Sequence, residues 1–188
     1  MIASGIFFAV AGPSGAGKDT LIRIARREFE GNEKFVFLRR AITRASDAGG
    51  EDHLAVTPED FSVRQQRGEF ALSWEAHGLA YGIPTEAKEI VSSGRHVIAN
   101  LSRAAVKDAM SEFANVCVIM VTAPPDVLAE RLKARGRESA ATIQERRMRE
   151  GATLPRSCEV VTVGNGTTPQ EGGRRFVSVL LSRAGELA

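Results

Sequence analysis

Gly12-Pro13-Ser14-Gly15-Ala16-Gly17-Lys18-Asp19-Thr20 packs three glycines, an ammonium group, a carboxylate and two hydroxyls into nine residues. That set suits the holding of a polyphosphate. Glycines reach positive φ and let successive backbone N–H groups curl around an anion. Lys18 adds a full positive charge within reach of the β and γ phosphates. An apolar run, Ile6 to Ala11, comes before the glycines, and a helix-compatible stretch comes after them. The loop therefore joins a strand end to a helix N-terminus, whose partial positive charge favours an anion. The bland alternative is a Gly-rich turn with no ligand. Spacing, lysine and both flanking elements speak against it.

The pattern is that of a P-loop, which implies ATP and Mg²⁺ as reactants. One position departs from it. The residue after the lysine is ordinarily Ser or Thr, holding Mg²⁺ through its hydroxyl. Here it is Asp19, with the hydroxyl displaced to Thr20. P-loop enzymes commonly add an acid at the end of a neighbouring strand, but the run His96 to Leu101 offers Asn100 there. Asp19 is thus a candidate to reach the hydrated ion, directly or through water. The alternative is that it only complements the helix N-terminus.

The arginines form two groups, Arg39, Arg40 and Arg44 early, and Arg131, Arg135 and Arg146 with their neighbours late. A solvated face is the plain reading of each. Beside a P-loop, two such groups would flank a polyanionic substrate. Arg131 and Arg135 share one helix face by their spacing. Guanidinium forks suit charge spread over phosphoryl oxygens.

Elements that could position these groups follow from the pattern. Apolar runs alternate with helical stretches, which predicts an α/β fold with a parallel sheet. Strands are expected at Gly5–Ala11, Phe35–Ile42, His96–Leu101, Val116–Val121 and Val160–Val163, the fourth suited to the sheet centre. Short β pieces are expected within Phe70–Ile83, around His77-Gly78. Helices are expected at Gly17–Phe29, Thr57–Arg67, Thr85–Ser93, Arg103–Glu112, from Pro124 to near Gly136, at Ala140–Glu150 and at Pro169–Ala184, the last despite Gly172-Gly173. Thr57 reads as an N-cap with Pro58 behind it. Thr43–Val56 is polar and glycine-rich, so it reads as a loop. With 188 residues, one domain with a sizeable core is expected.

A net charge of +2 gives no reason to expect a nucleic-acid or membrane partner. No apolar run reaches the length of a membrane span, and the N-terminal run ends in the P-loop rather than a cleavage site. A cytoplasmic protein is the expectation, with a homo-oligomer left open. Cys117 and Cys158 lack metal-ligand spacing, and Cys117 reads as a core residue.

Taken in order, the motifs resemble the guanylate kinase group of P-loop phosphotransferases. They are the P-loop, Thr43-Arg44, His77-Gly78-Leu79-Ala80-Tyr81-Gly82, Arg131-Leu132-Lys133-Ala134-Arg135-Gly136, Ile143-Gln144-Glu145-Arg146 and Asn165. The resemblance implies a P-loop NTPase fold of one domain, 1–188, with an acceptor-binding region near 43–84 and a lid near 135–150. It implies that Arg135 and Arg146 act with Lys18 on the phosphoryl group in transit, and that Arg131 and Asn165 serve the nucleotide. It also implies that Arg44 holds the acceptor's phosphate with Tyr81 nearby. For Tyr81 an ordinary half-buried aromatic is an equal alternative.

The departures bear on the acceptor. Guanylate kinases carry a second arginine where Asp47 stands, a phosphate-binding tyrosine near Glu51-Asp52-His53, and base-reading groups where Leu72 and Ile83 stand. A site built to hydrogen-bond a base edge loses its discrimination without those groups. The sub-family with these replacements is that of the ribose 1,5-bisphosphate phosphokinases. The chain resembles it over nearly its whole length, including Arg40-Ala41-Ile42-Thr43-Arg44 and Gly49-Gly50-Glu51-Asp52-His53. That resemblance implies ATP and ribose 1,5-bisphosphate as small-molecule substrates. His53, Glu75 and His77 are candidates for ribose contacts, with Asp52 and Arg103 behind them. A solvated side chain is the alternative for each. The rival readings are a guanylate or other nucleotide kinase and a non-catalytic guanylate kinase-like binding module.

Overall fold

In the computed structural model, which describes residues 4–46, 51–134 and 154–185, the apolar run ahead of the glycines is a strand buried at every position. In chain order the described elements are β1 (Phe7–Ala11), α1 (Lys18–Glu28), β2 (Phe35–Phe37), β3 (Ala41–Ile42), β4 (Leu54–Ala55), α2 (Pro58–Gln66), β5 (Phe70–Ala76), β6 (Leu79–Pro84), α3 (Glu86–Ser92), β7 (His96–Asn100), α4 (Val106–Glu112), β8 (Val116–Thr122), α5 (Pro125–Ala134), β9 (Glu159–Gly164) and α6 (Pro169–Ala184).

A strand with no polar face must be paired on both edges and covered on both sides. β1 meets both demands. It lies parallel to β7 on one edge and β8 on the other, in a five-stranded parallel sheet of order β2-β7-β1-β8-β9. Alternate side chains serve opposite faces. Phe7, Ala9 and Ala11 join a core with Ile90 and Val91 of α3 and Val106 and Ala109 of α4. Phe8 and Val10 join a second core with Leu21 and Ala25 of α1 and Phe176 and Leu180 of α6. This is the P-loop α/β architecture expected from the alternation of runs.

A second, four-stranded sheet has the order β4-β3-β6-β5. Its two longest strands, β6 and the edge strand β5, form a hairpin that turns at His77-Gly78 as expected. α2 begins on the Thr57 cap, whose Oγ1 accepts from the Asp60 N–H at 3.1 Å, with Pro58 in the first turn.

Three expectations need correction. Phe35–Ile42 is not one strand. Phe35–Phe37 pairs with β7, and Leu38 still donates its N–H to the Ile98 carbonyl at 3.0 Å. The chain then leaves that sheet, and Ala41–Ile42 pairs with β6. Apolar pattern alone does not say which sheet a strand joins. Thr43–Val56 is not wholly loop, because Leu54–Ala55 pairs with β3. β8 stands one place from the edge, and β1 holds the centre. Both have a neighbour on each side, so continuous apolar content suits either. Of the expected helices, Ala140–Glu150 lies outside the described residues.

Gly172-Gly173 has a packing reason. α6 lies against α1 and the P-loop so closely that a Cβ on Gly173 would stand 2.6 Å from Ile24 Cγ2, and one on Gly172 would collide with Asn165 Oδ1. Absent side chains here serve close approach at a cost in helix propensity. Gly172→Ala should therefore destabilise the protein by about 1–3 kcal/mol, read as a lowered urea midpoint with unchanged slope. Gly164, where an added Cβ meets nothing within 4 Å, is the control, and Gly164→Ala should move the midpoint far less.

Candidate active site

The P-loop leaves β1 in a turn with no room for a side chain at Gly12 or Gly17. Gly12 has φ 139°, and a Cβ there would collide with the Val121 carbonyl of β8. Gly17, at φ 88°, is the N-cap of α1 and makes no side-chain cap. The first-turn N–H groups of α1 are thereby left to an anion. Lys18 Nζ donates to the carbonyls of Gly12 at 2.8 Å and Pro13 at 3.1 Å, which holds it over the loop. The other expected loop residues, Pro13, Ser14, Gly15 and Ala16, form the turn between them.

Two expected nucleotide residues touch this loop's backbone. Asn165, only 2% exposed, donates from Nδ2 to the Ala16 carbonyl at 2.7 Å. Its amide is wedged between Gly17 and Gly172, with Oδ1 buried and unpartnered among the described residues. It braces the loop from beneath. Arg131 comes from α5 and donates from Nη1 to the Gly15 carbonyl at 3.5 Å. Arg135 and Arg146, the expected lid arginines, lie outside the described residues.

Two clefts open beside the loop. The first, about 540 Å³, runs from Gly12, Ser14 and Lys18 to the β5–β6 turn and the chain beyond β7. Glu75, His77 and Tyr81 line it, and so does Arg103. The second, about 500 Å³, takes in Asp19, Thr20, Glu51 and Asn100. Arg40 lines both.

A hydrogen-bonded chain ties the two together. Asn100 Nδ2 donates to Asp19 Oδ1 at 2.9 Å and to Glu51 Oε2 at 3.1 Å. Glu51 Oε1 accepts from Nε of Arg40 at 3.0 Å and from its Nη2. Arg40 was expected only as one of the early arginines flanking a polyanion, and Glu51 had no expected role of its own. Their contact depends on the path of the loop between them, which no periodicity encodes. Flanking this chain, Asp52 pairs with Arg26 at 2.9 Å and Arg39 at 3.5 Å. Partial burial works to raise the Asp52 carboxyl, but the Arg26 hydrogen bond and the charges of Arg39 and Arg26 outweigh it, and the net shift is downward.

The remaining expected residues divide. Arg44 and His53 stand together, with Arg44 Nη2 3.3 Å from His53 Nδ1 and the Arg44 carbonyl 3.1 Å from Nε2. Arg44 Nε is enclosed and lacks a hydrogen-bond partner among the described residues. Tyr81 stacks on Trp74, ring centroids 5.4 Å apart and nearly parallel. Leu72 and Ile83 face each other across β5 and β6 and are buried in the core. At those positions the site has no group that reads a base edge. Cys117 is core, as expected, and burial, seconded by Glu159, pushes its thiol up to about 12.

A P-loop α/β core carrying a second small sheet defines a nucleotide-binding phosphotransferase fold. Residues 9–151 match the AAA domain model. The fold is similar to that of guanylate kinase from Anaplasma phagocytophilum, with a TM-score of 0.69 at 19% identity over 99% of this chain and 88% of that one. Ribose 1,5-bisphosphate phosphokinase PhnN of Rhizobium etli is 45% identical over 176 residues, 94% of this chain and 89% of its own. The chain belongs to the ribose 1,5-bisphosphate phosphokinase PhnN family. It also matches the bifunctional ribose 1,5-bisphosphokinase-thymidine phosphorylase of Azorhizobium caulinodans, 45% identical over 187 residues, but spans only 27% of that protein's length.

His77 holds φ 56° in the hairpin turn, a left-handed conformation that costs a branched residue far more than Asn. His77→Asn should leave unfolding free energy within about 0.5 kcal/mol of wild type, and His77→Val should lower it by about 1–3 kcal/mol. Urea titration of the two variants checks this.

Proposed function

We propose that the chain is a kinase that transfers the γ-phosphate of ATP to ribose 1,5-bisphosphate, giving 5-phosphoribosyl 1-diphosphate and ADP, within phosphonate breakdown. The observation that carries the reading is the cleft between P-loop and hairpin. It is lined by cations, and the two positions that would read a base are Leu72 and Ile83, buried in the core. A base-free phosphorylated sugar suits such a cleft better than a nucleotide does. The relatives named for that substrate support the same choice.

An oxygen of the sugar's 1-phosphate attacks the γ-phosphorus as the bond to the β,γ-bridging oxygen breaks, and ADP leaves with that oxygen. The attacking phosphate is already ionised, so no general base is required. The chain's tasks are positioning and neutralisation of charge. In this reading Lys18 and the α1 N-terminus hold the β and γ phosphates, Arg131 bears on the nucleotide side, and Asn165 keeps the loop in shape. Arg135 and Arg146, outside the described residues, act on the phosphoryl group in transit. The acceptor lies in the region 43–84. Arg44 takes a phosphate, and its Nε, without a partner among the described residues, suits a phosphate oxygen. His53, Glu75, His77 and Tyr81 surround the sugar.

Mg²⁺ suits a site of hard oxygen donors, and Asp19 and Thr20 line one cleft at the start of α1. They would hold the ion there. When bound it neutralises charge on the β and γ phosphate oxygens. Among the described residues no helix is long and apolar enough to cross a membrane. Action on small molecules in the cytoplasm completes the proposal.

The acceptor is tested by steady-state kinetics with Mg-ATP. kcat/KM for ribose 1,5-bisphosphate should exceed that for GMP at least a hundredfold, about the discrimination lost with two unmade hydrogen bonds. A higher value for GMP would overturn the reading. The metal role is tested separately. In Asp19→Asn the new amide oxygen can still accept from Asn100 while the negative charge is lost, so the fold should stand and the Mg²⁺ concentration for half-maximal rate should rise. An unchanged Mg²⁺ dependence would leave Asp19 as a helix-end charge only.

A further inference from the structure

We propose that Arg40 grips the accepting phosphate and is the residue by which the cleft selects a 1-phosphorylated sugar. This rests on the kinase reading above and deepens it. Two observations carry it.

The first is position. Arg40, like Asn100, lines both the hairpin cleft and the cleft of Asp19 and Thr20, and of the two it is the cation. An acceptor in the hairpin cleft meets Arg40 on the same lining as Gly12, Ser14 and Lys18 of the P-loop. Lys18, the nearest loop cation, is turned onto its own loop carbonyls. Arg103 stands beyond the end of β7.

The second is the way Arg40 is fixed. Nε and Nη2 both donate to one oxygen of Glu51, whose other oxygen is held by Asn100. The guanidinium carbon lies 4.8 Å from the centroid of the Tyr81 ring and 5.6 Å from that of Trp74, and those two rings stack on each other. The Arg40 and Glu51 side chains are only 10% and 13% exposed. A nearly buried ion pair adds little to stability over apolar packing, so stability does not explain the arrangement. It does make a long, mobile cation rigid before substrate arrives, which lowers the entropy cost of binding. Planar guanidinium on aromatic faces with a directed fork is a geometry that lysine cannot reproduce. With Nε and one N–H of Nη2 given to Glu51, Nη1 and the second N–H of Nη2 form the edge left for a phosphate's oxygens, the ligand such an edge recognises.

The test is calorimetric titration of the protein, with ADP and Mg²⁺ present, using ribose 1,5-bisphosphate and ribose 5-phosphate as probes. ADP affinity is measured on each variant to show that the P-loop is intact. Wild type should prefer the bisphosphate. Arg40→Gln should weaken bisphosphate binding roughly ten- to hundredfold, as expected for a lost charged hydrogen bond, and should change ribose 5-phosphate binding little. Arg40→Lys, which keeps the charge and loses the fork, should fall between. If Arg40 serves only to neutralise Glu51, the double variant Arg40→Gln/Glu51→Gln will recover the preference. That recovery, or a wild-type preference in every Arg40 variant that binds ADP, overturns the proposal. Wild-type protein that binds ADP but neither sugar phosphate overturns the kinase reading and this proposal together.

Discussion

The turn from β1 into α1 is the constraint on which the rest of the structure depends. A strand buried on both faces must end at the surface in a loop that presents backbone N–H groups outward. It must do so between β8, Asn165 and α6, which leave no space for a side chain at Gly12 or Gly17. Gly12 against the Val121 carbonyl, Gly17 against the Asn165 amide and Gly172 against the same amide from the other side are one packing problem seen at three positions. Asn165 resolves it by bonding the Ala16 carbonyl. The shape of the anion site is thus held by groups that need never touch the anion, as preorganised sites require.

The second sheet converts that site from a phosphate cradle into a candidate for phosphoryl transfer. It stands across the cleft from the P-loop and brings the hairpin turn, the Trp74–Tyr81 stack and Arg40 to one wall. Its inner positions at Leu72 and Ile83 are spent on the core. The same backbone framework that could read a base therefore offers only charge, ring faces and a few polar side chains. Fold likeness to guanylate kinase does not fix the acceptor, because one fold carries different sites.

Much of this was legible in the residue order. The P-loop, its flanking elements, the Thr57 cap and the hairpin at His77-Gly78 follow from local chemistry, because glycine, proline and capping residues act within a few positions of themselves. The glycine pair of α6 was legible as an anomaly, but its cause was not, since Asn165 and Ile24 reach it through tertiary packing. The break at Leu38 to Arg40 was missed because both flanking pieces are apolar and extended, and only pairing partners separate them. The tie between Arg40 and Glu51 was hidden for a related reason. Their bond, the shared amide of Asn100 and the aromatic pair beneath come from four separate stretches of chain.

The central claim is that the P-loop phosphate is handed to a phosphate on a base-free sugar. The most direct measurement is ³¹P NMR of the protein incubated with Mg-ATP and ribose 1,5-bisphosphate, because it shows the atom on which the phosphoryl group lands. The account predicts loss of the 1-phosphate signal and growth of a coupled diphosphate pair, matched by ADP, with the 5-phosphate signal unchanged. A 1-phosphate signal that persists while ATP is consumed, or transfer to the 5-phosphate or a ribose hydroxyl, would contradict it.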